Sequence, residues 1–239
     1  MIAPASSLLT GRDLARAGSG DPAARLVLDA GQQITLRLAR LHEFCGPARD
    51  TLALMTAARA LARGDIAGPL YWISGSWQQD ALHAAGILPF LDPARLLFLQ
   101  ASRPADMLWA MEEILRSGVV PVVVADLRAP PGLTQVRRLH LAAETGAAAG
   151  GIAPIGLILT PQDGGAPGVE TRWHMAPAHA GPDPTRGRWR LERRRARMEP
   201  PRGWYLHHGP KGAELNPSTD PQRHPTKSSP DVANERADG

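Results

Sequence analysis

The chain has 239 residues, with 27 basic against 23 acidic side chains, a formal net charge of +4, and a single cysteine, Cys45. A hydrophobic fraction of 43% is enough for a real core and excludes wholesale disorder, while the longest apolar runs, residues 119–125 and 152–159, fall far short of the roughly twenty residues of a membrane span. One cysteine excludes an internal disulfide framework and a cysteine-rich zinc site, and with no basic residue ahead of the first apolar patch no secretory signal is expected, which makes the predicted location cytoplasmic.

Residues 1–35 are predicted to be flexible or partly helical, with Gly18-Ser19-Gly20-Asp21-Pro22 a linker by composition. The folded body is placed at residues 36–206. From residue 207 to 239 the only aliphatics larger than alanine are Leu215 and Val232. That tail is expected to be disordered, because it cannot bury enough surface to offset its ordering entropy. Within the body, residues 41–45 form a short apolar strand followed by the turn Gly46-Pro47. Residues 51–63 place Leu54, Met55, Ala58 and Leu61 on one helical face, with Gly64 as the stop. Residues 69–74 (PLYWIS) read as a strand, 78–85 as a short helix ended by Gly86, and 95–100 (RLLFLQ) as a strand again. Met107, Leu108, Met111, Ile114 and Leu115 recur at helical spacing until Gly118. Residues 119–125 (VVPVVVA) are a near-continuous apolar run ending at Asp126, the pattern of a strand buried on both faces. A helix over 133–144 and a strand over 152–160 complete the series. This alternation predicts an α/β fold with a mostly parallel sheet between helix layers. Residues 170–175, 188–194 and 203–206 alternate with period two and predict an antiparallel C-terminal extension.

Ligands of open α/β sheets bind beyond the carboxyl ends of the strands. Gly46, Pro47, Ala48, Arg49, Asp50 and Thr51 lie between the first strand and the first helix, where a phosphate loop would be. Such a loop, G-x-x-x-x-G-K-[ST], cradles phosphate on backbone amides, neutralises it with lysine and holds magnesium with the hydroxyl. Here the first glycine is present, the second glycine and the lysine are missing, and the loop is shorter. Arg49 and Thr51 are the remnants that would supply charge and hydroxyl; a plain structural turn is the competing reading. Asp126 ends the apolar strand where a magnesium-binding acid would sit, or else it caps a loop. The strand ending Ser74-Gly75-Ser76-Trp77 carries no carboxylate before Asp80 to activate water.

Four segments carry a family resemblance. HEFCGPARDTLAL (42–54) resembles the first strand and phosphate loop of the RecA recombinases with the loop centre deleted. YWISGSW (71–77) resembles the strand bearing their catalytic acid, VVPVVVADLRA (119–129) their magnesium-binding strand, and IGLILTPQ (155–162) the strand leading to their second DNA loop. The opening HEFCGPA and the closing RWRLERRRAR and GWYL are most similar to the ImuA family, the inducible mutagenesis proteins of bacteria, over residues 36–206. The resemblance implies a RecA-like, P-loop-type core acting in SOS-inducible DNA damage tolerance. It also implies two partners in error-prone translesion synthesis: an inactive Y-family polymerase homologue and an error-prone replicative-type polymerase. Gly46 and Pro47 match the loop entrance and Asp126 the magnesium position. The phosphate-binding lysine and the catalytic acid have no counterpart, so the expectation is no enzymatic activity, no cofactor and no metal. Residues 127–132 are shorter than the first DNA loop of recombinases, which argues against filament formation on DNA. The leading expectation is a non-catalytic scaffold, with self-association through a sheet edge open and no membrane contact. The alternatives are a degenerate ATP-binding ATPase using Arg49, Thr51 and Asp126, and a standalone DNA-binding regulator.

Arg186, Arg188, Arg190, Arg193, Arg194, Arg195, Arg197 and Arg202 fall within seventeen residues, opposed only by Glu192 and Glu199. Trp189 and Leu191 alternate with Arg188 and Arg190, which predicts an apolar face and a guanidinium row opposite it. Arg188, Arg190, Arg193, Arg194, Arg195 and Arg197 are therefore the candidate DNA- or partner-binding residues; a solvated edge protected by charge is the other reading. Trp72, Trp109 and Trp189 are assigned to core faces. Trp77 and Trp204, near strand ends, either pack in the core or stack a base or partner side chain. Cys45 is expected to be buried, with His42 on the opposite strand face, so no nucleophile–base pair is expected. His207-His208 are expected to be solvated. Residues 161–168 are flexible by composition and, by the resemblance, a candidate nucleic-acid or partner loop.

Overall fold

Strands that are apolar on both sides need cover on both sides, and the sheet is organised around such strands. The computed structural model describes residues 24–29, 31–62, 68–78, 82–149, 152–178, 187–197, 199–209 and 212–217. In chain order the first elements are β1 (Arg25–Val27), β2 (Thr35–Arg37), β3 (Arg40–Cys45), α1 (Arg49–Leu61), β4 (Leu70–Gly75) and the single turn α2 (Ala84–Ile87). A 3-10 turn, Pro93–Arg95, leads to β5 (Leu96–Ala101), α3 (Pro104–Ser117), β6 (Val122–Asp126), α4 (Leu133–Ala148) and β7 (Ile155–Leu159). Then come β8 (Thr171–Pro177), β9 (Arg188–Ala196), β10 (Arg202–Gly209) and β11 (Gly212–Pro217). Nine strands form one sheet in the order β11-β10-β9-β8-β3-β7-β6-β4-β5, and β1 and β2 form a separate hairpin. From β8 to β5 every pairing is parallel; from β8 to β11 every pairing is antiparallel.

The two faces have different covers. Phe44, Trp72, Val122, Val124, Leu157 and Trp173 pack against α1 and the β1–β2 hairpin. Leu41, Ile73, Val123, Ala125 and Ile158 pack against Met107, Met111, Val136 and Leu139 of α3 and α4. Burying a side chain of this size stabilises by about 1.5–3 kcal/mol, so both helix layers are strongly held. Gly118 ends α3 at φ +67°, and a Cβ there would stand 2.3 Å from the carbonyl oxygen of Gly146 on α4. That backbone contact sets how closely the two helices approach.

Several expectations need correction. Residues 170–175 were expected in the antiparallel extension, but β8 is parallel to β3 and antiparallel only to β9. Its alternation reflects cover rather than pairing direction: Thr171, Trp173 and Met175 are buried, while Arg172 and His174 are only half-buried. Within the segment expected to be flexible or partly helical, Arg25–Val27 and Thr35–Arg37 pair as the β1–β2 hairpin, with Leu26, Leu28, Ile34 and Leu36 buried, while residues 1–23 lie outside the described residues. Both carboxylate oxygens of Asp29 accept backbone amides across its turn, from Gln33 at 3.2 Å and Ile34 at 2.7 Å. Where disorder was expected from residue 207, β10 continues to Gly209 and pairs with β11. The Gly18–Pro22 linker, Arg186 and residues 218–239 lie outside the described residues. Trp109 was assigned to the core but is 62% exposed; it follows Met107 by two residues, about 200° around the helix. Val119 is likewise exposed and β6 begins only after Pro121, which has no N–H to donate. No helix among the described residues is long and apolar enough to cross a membrane.

Candidate functional site at the carboxyl ends of the strands

The connection from β3 into the first turn of α1 holds Gly46, Pro47, Arg49 and Thr51, the residues expected as remnants of a phosphate loop. Gly46 adopts φ +87°, and a Cβ there would lie 2.5 Å from the Met175 carbonyl oxygen and 2.7 Å from His174 Nε2. Only glycine fits that conformation and that space. Its amide donates to the Gln162 carbonyl at 2.9 Å, and the Ala48 amide donates to the Met175 carbonyl at 3.0 Å. The Arg49 amide donates to the Gly46 carbonyl at 3.3 Å, and Pro47 has no N–H. Three main-chain donors of the loop, the Gly46, Ala48 and Arg49 amides, are therefore committed to carbonyls of the β7–β8 connection, of β8 and of the loop itself. Thr51 is half-buried in the first turn of α1.

Arg49 Nη2 faces Asp126 Oδ1 at 3.6 Å. Gln78 Nε2 donates to Asp126 Oδ2 at 2.7 Å, while its Oε1 accepts the Gly75 amide at 2.8 Å. Gln78 thus ties the end of β4 to the end of β6, a role missed in the sequence although it is the first side-chain amide after the strand. Burial raises the Asp126 carboxyl above its ordinary value, against the opposing pull of Arg49 and Gln78. Burial also raises Asp50, Arg49 opposes it, and Asp126 adds to the rise. Arg49 Nε, Asp50 Oδ1 and Asp126 Oδ1 are buried without a hydrogen-bond partner. Beside them lies a cavity of about 240 Å³ lined by Asp50, Trp72, Ser74, Gln78, Leu82, Phe98, Gln100 and Asp126.

These residues do not fit a magnesium-bound triphosphate. Three of the loop's amides are taken, its cation faces Asp126, and the phosphate-binding lysine is missing. Among the described residues no group of three or more His, Cys, Asp or Glu side chains could hold a metal ion.

The glycine-rich residues 161–168 are anchored by Glu43, a fully buried acid of β3 that sequence reasoning did not single out. Glu43 accepts from Thr160 Oγ1 at 2.8 Å, from the Gly165 amide at 2.8 Å and from the Ala166 amide at 3.0 and 3.1 Å to its two oxygens. The Arg172 guanidinium pairs with the same carboxylate and donates to the Ala166 carbonyl at 2.9 Å. The flexibility expected from composition gives way to this anchorage. On the opposite strand face, His42 is fully buried, with Nε2 donating to the Arg37 carbonyl at 2.9 Å and Nδ1 2.7 Å from Thr171 Oγ1. Burial pushes its imidazole down to about 4. Cys45 Sγ donates to the Trp173 carbonyl at 3.3 Å, and burial pushes the thiol up to about 12. Neither residue is poised for catalysis.

The arginine strand is divided between two faces. Arg193 is 6% exposed and sits on the apolar side, its guanidinium carbon 5.8 Å from the Trp173 ring and 5.5 Å from the Trp204 ring. It pairs with Glu199 and donates to the Pro200 carbonyl at 3.1 Å, so the predicted guanidinium row does not include it. Arg190 and Arg194 both pair with Glu192, at 2.9 and 3.1 Å, and Arg194 also reaches Asp163 at 2.6 Å. Arg188 stacks 4.1 Å over Tyr205. Arg195 and Arg197 are exposed. Trp204 is fully buried, and Trp77 is half-buried with Arg128 4.8 Å over its ring. Trp72 is buried as assigned, whereas Trp189 is only half-buried. His207 is half-buried in β10 rather than solvated.

No family model matches the chain. Over 163 residues it is 34% identical to Protein ImuA of Caulobacter vibrioides strain NA1000 / CB15N, a stretch that covers 60% of this chain and 64% of the relative. The same figures hold for Protein ImuA of Caulobacter vibrioides strain ATCC 19089 / CIP 103742 / CB 15. The chain thus spans a little under two thirds of the length of the curated relatives it matches. Over that stretch the chain is similar to the ImuA proteins.

Proposed function

We propose that the chain is a non-catalytic, RecA-like accessory protein of SOS-inducible DNA damage tolerance. In this reading it is cytoplasmic and scaffolds an error-prone translesion assembly with an inactive Y-family polymerase homologue and an error-prone polymerase. The observation that carries the non-catalytic part is the β3–α1 loop, where the Gly46 and Ala48 amides are bound to Gln162 and Met175 carbonyls. A triphosphate would have to break both bonds and then meet Asp126 beside the loop's only cation, Arg49. The damage-response context is supported by the relation to ImuA. The RecA-like reading is supported by β3, β4, β6 and β7, the four strands that resemble the RecA motifs, which run parallel within one sheet with Gly46 and Asp126 at the same end.

Titration with ATP and magnesium tests the first part. A ligand present at about 100 times its Kd stabilises by about 2.7 kcal/mol, which raises Tm by roughly 5–11 °C in a chain of this size. No such rise is expected at about 1 mM ATP; a Kd near 10 μM, which would produce it, overturns the non-catalytic reading. Affinity purification from damage-treated cells tests the second part, and failure of both polymerases to co-elute overturns the scaffold. Replacing the exposed Arg195 and Arg197 by Glu, with DNA binding and partner capture read separately, distinguishes the scaffold from a DNA-binding regulator. Loss of DNA binding with partner capture intact favours the regulator.

A further inference from the structure

We infer that the cavity between β4, β5 and Asp126 is a binding site for a single nucleobase, presented by a nucleoside or by a single strand, with no contribution from phosphate. This inference rests on the cavity and stands whether or not the scaffold reading holds.

The cavity is built from a same-face ladder on two neighbouring strands. Trp72 pairs in register with Phe98, and Ser74 with Gln100. Phe98 is 54% exposed although it is a large apolar side chain, and Trp72 is 4% exposed behind it. Gln78 and Asp126 stand at the carboxyl ends of β4 and β6, joined by their hydrogen bond, and Leu82 and Asp50 complete the lining. Aromatic faces flanked by side-chain amides, a hydroxyl and a carboxylate match how unstacked bases are held, by ring stacking and by hydrogen bonds to their edges.

Size and charge narrow the ligand further. At about 240 Å³ the cavity is smaller than the roughly 300–1,000 Å³ typical of drug-sized ligands. It suits one planar ring system, with the remainder of the ligand lying outside it. Asp50 and Asp126 make one side unfavourable for an anion, and the Gly46, Ala48 and Arg49 amides of the neighbouring loop are already bonded. Recognition must therefore come from the ring and its edge.

The test titrates the full chain with adenosine, guanosine, cytidine and thymidine, read by calorimetry and intrinsic tryptophan fluorescence. At least one nucleoside should bind with a Kd of about 0.1–1 mM, the range for a ligand of this size. Phe98→Ala and Gln100→Ala, both at exposed positions, should each weaken binding by about fivefold or more, and Glu113→Gln on the far helix should leave it unchanged. A parallel arm uses single-stranded 12-mers: tighter binding than the nucleoside, lowered by Phe98→Ala, assigns the base to a strand, and nucleoside binding alone assigns it to the free form. Both outcomes support the site. No binding of any nucleoside or 12-mer at about 10 mM overturns it. So does binding indifferent to both substitutions, or ATP with magnesium binding more than about tenfold tighter than adenosine. Saturation by arginine amide without any nucleoside binding also overturns it, in favour of a partner's guanidinium.

Discussion

Replacing Glu43 by alanine should remove about 3–5 kcal/mol of stability, the usual result of deleting one partner from a buried ion pair. The carboxylate is the common acceptor for Thr160 Oγ1, the Gly165 and Ala166 amides and the Arg172 guanidinium. Its removal strands the Arg172 side chain, which is only 18% exposed, without a counter-charge. It also frees two amides, and each buried donor left unsatisfied costs about 1–3 kcal/mol. The costs overlap, because a released loop can turn its amides to water, so the ion-pair figure sets the total. Glu43→Gln keeps the shape and part of the hydrogen bonding and should lose less, about 1–3 kcal/mol. Urea unfolding at neutral pH measures both losses, provided the denaturant slope is unchanged. Amide exchange supplies the local reading: Gly165 and Ala166 should lose protection in the alanine variant before the central strands do. A loss below about 1 kcal/mol, or unaltered protection at those two amides, would refute the reasoning.

Arg193→Ala should lose about 2–4 kcal/mol, while Arg195→Ala should stay within about 0.5 kcal/mol; comparable urea midpoints for the two variants would count against the division of the arginine strand. His42, held near 4 when folded chiefly by burial, is outcompeted for protons by the unfolded chain as pH falls below about 6.5. Its contribution is thus complete above about pH 6.5 and is lost between about 6.5 and 4, on the order of 3 kcal/mol in all. Urea midpoints across that range should flatten in His42→Gln, even though burial also lowers His140 and His174 and leaves part of the slope; parallel curves would refute the assignment. Cys45, with its thiol near 12, should resist alkylation at about pH 8 at any rate faster than unfolding; rapid stoichiometric labelling of native protein would contradict its burial.

Most of the strand and helix alternation through residues 41–159 was readable because the longer elements carry their own hydrophobic period, and the end of β6 at Asp126 was readable because the apolar run stops there. The helix expected over 78–85 with Gly86 as its stop is instead the single turn Ala84–Ile87, with Gly86 inside it, and Gly64 lies outside the described residues. The sense of β8 was not readable, since alternation reports which face is covered and says nothing of the neighbour's direction. Glu43 was hidden for a different reason. An acid in an apolar strand does not reveal that its donors lie more than a hundred residues later. The β1–β2 hairpin consists of two three-residue strands, too short to establish a period. The burial of Arg193 was present in strand parity, since it shares a face with Trp189 and Leu191, but a run of arginines draws attention to charge before parity. At the candidate site, Gly46, Arg49 and Asp126 were located from the sequence, whereas Gln78 and the Phe98–Gln100 wall required the strand register.

The bonding of the Gly46 and Ala48 amides also sets what point substitution can do at this turn. Installing a second glycine and a lysine would leave the Gln162 and Met175 carbonyls in place, and β8 would have to withdraw before the turn could open. A phosphate-binding loop is thus several coordinated changes away, because each single substitution meets a turn already closed onto its neighbours.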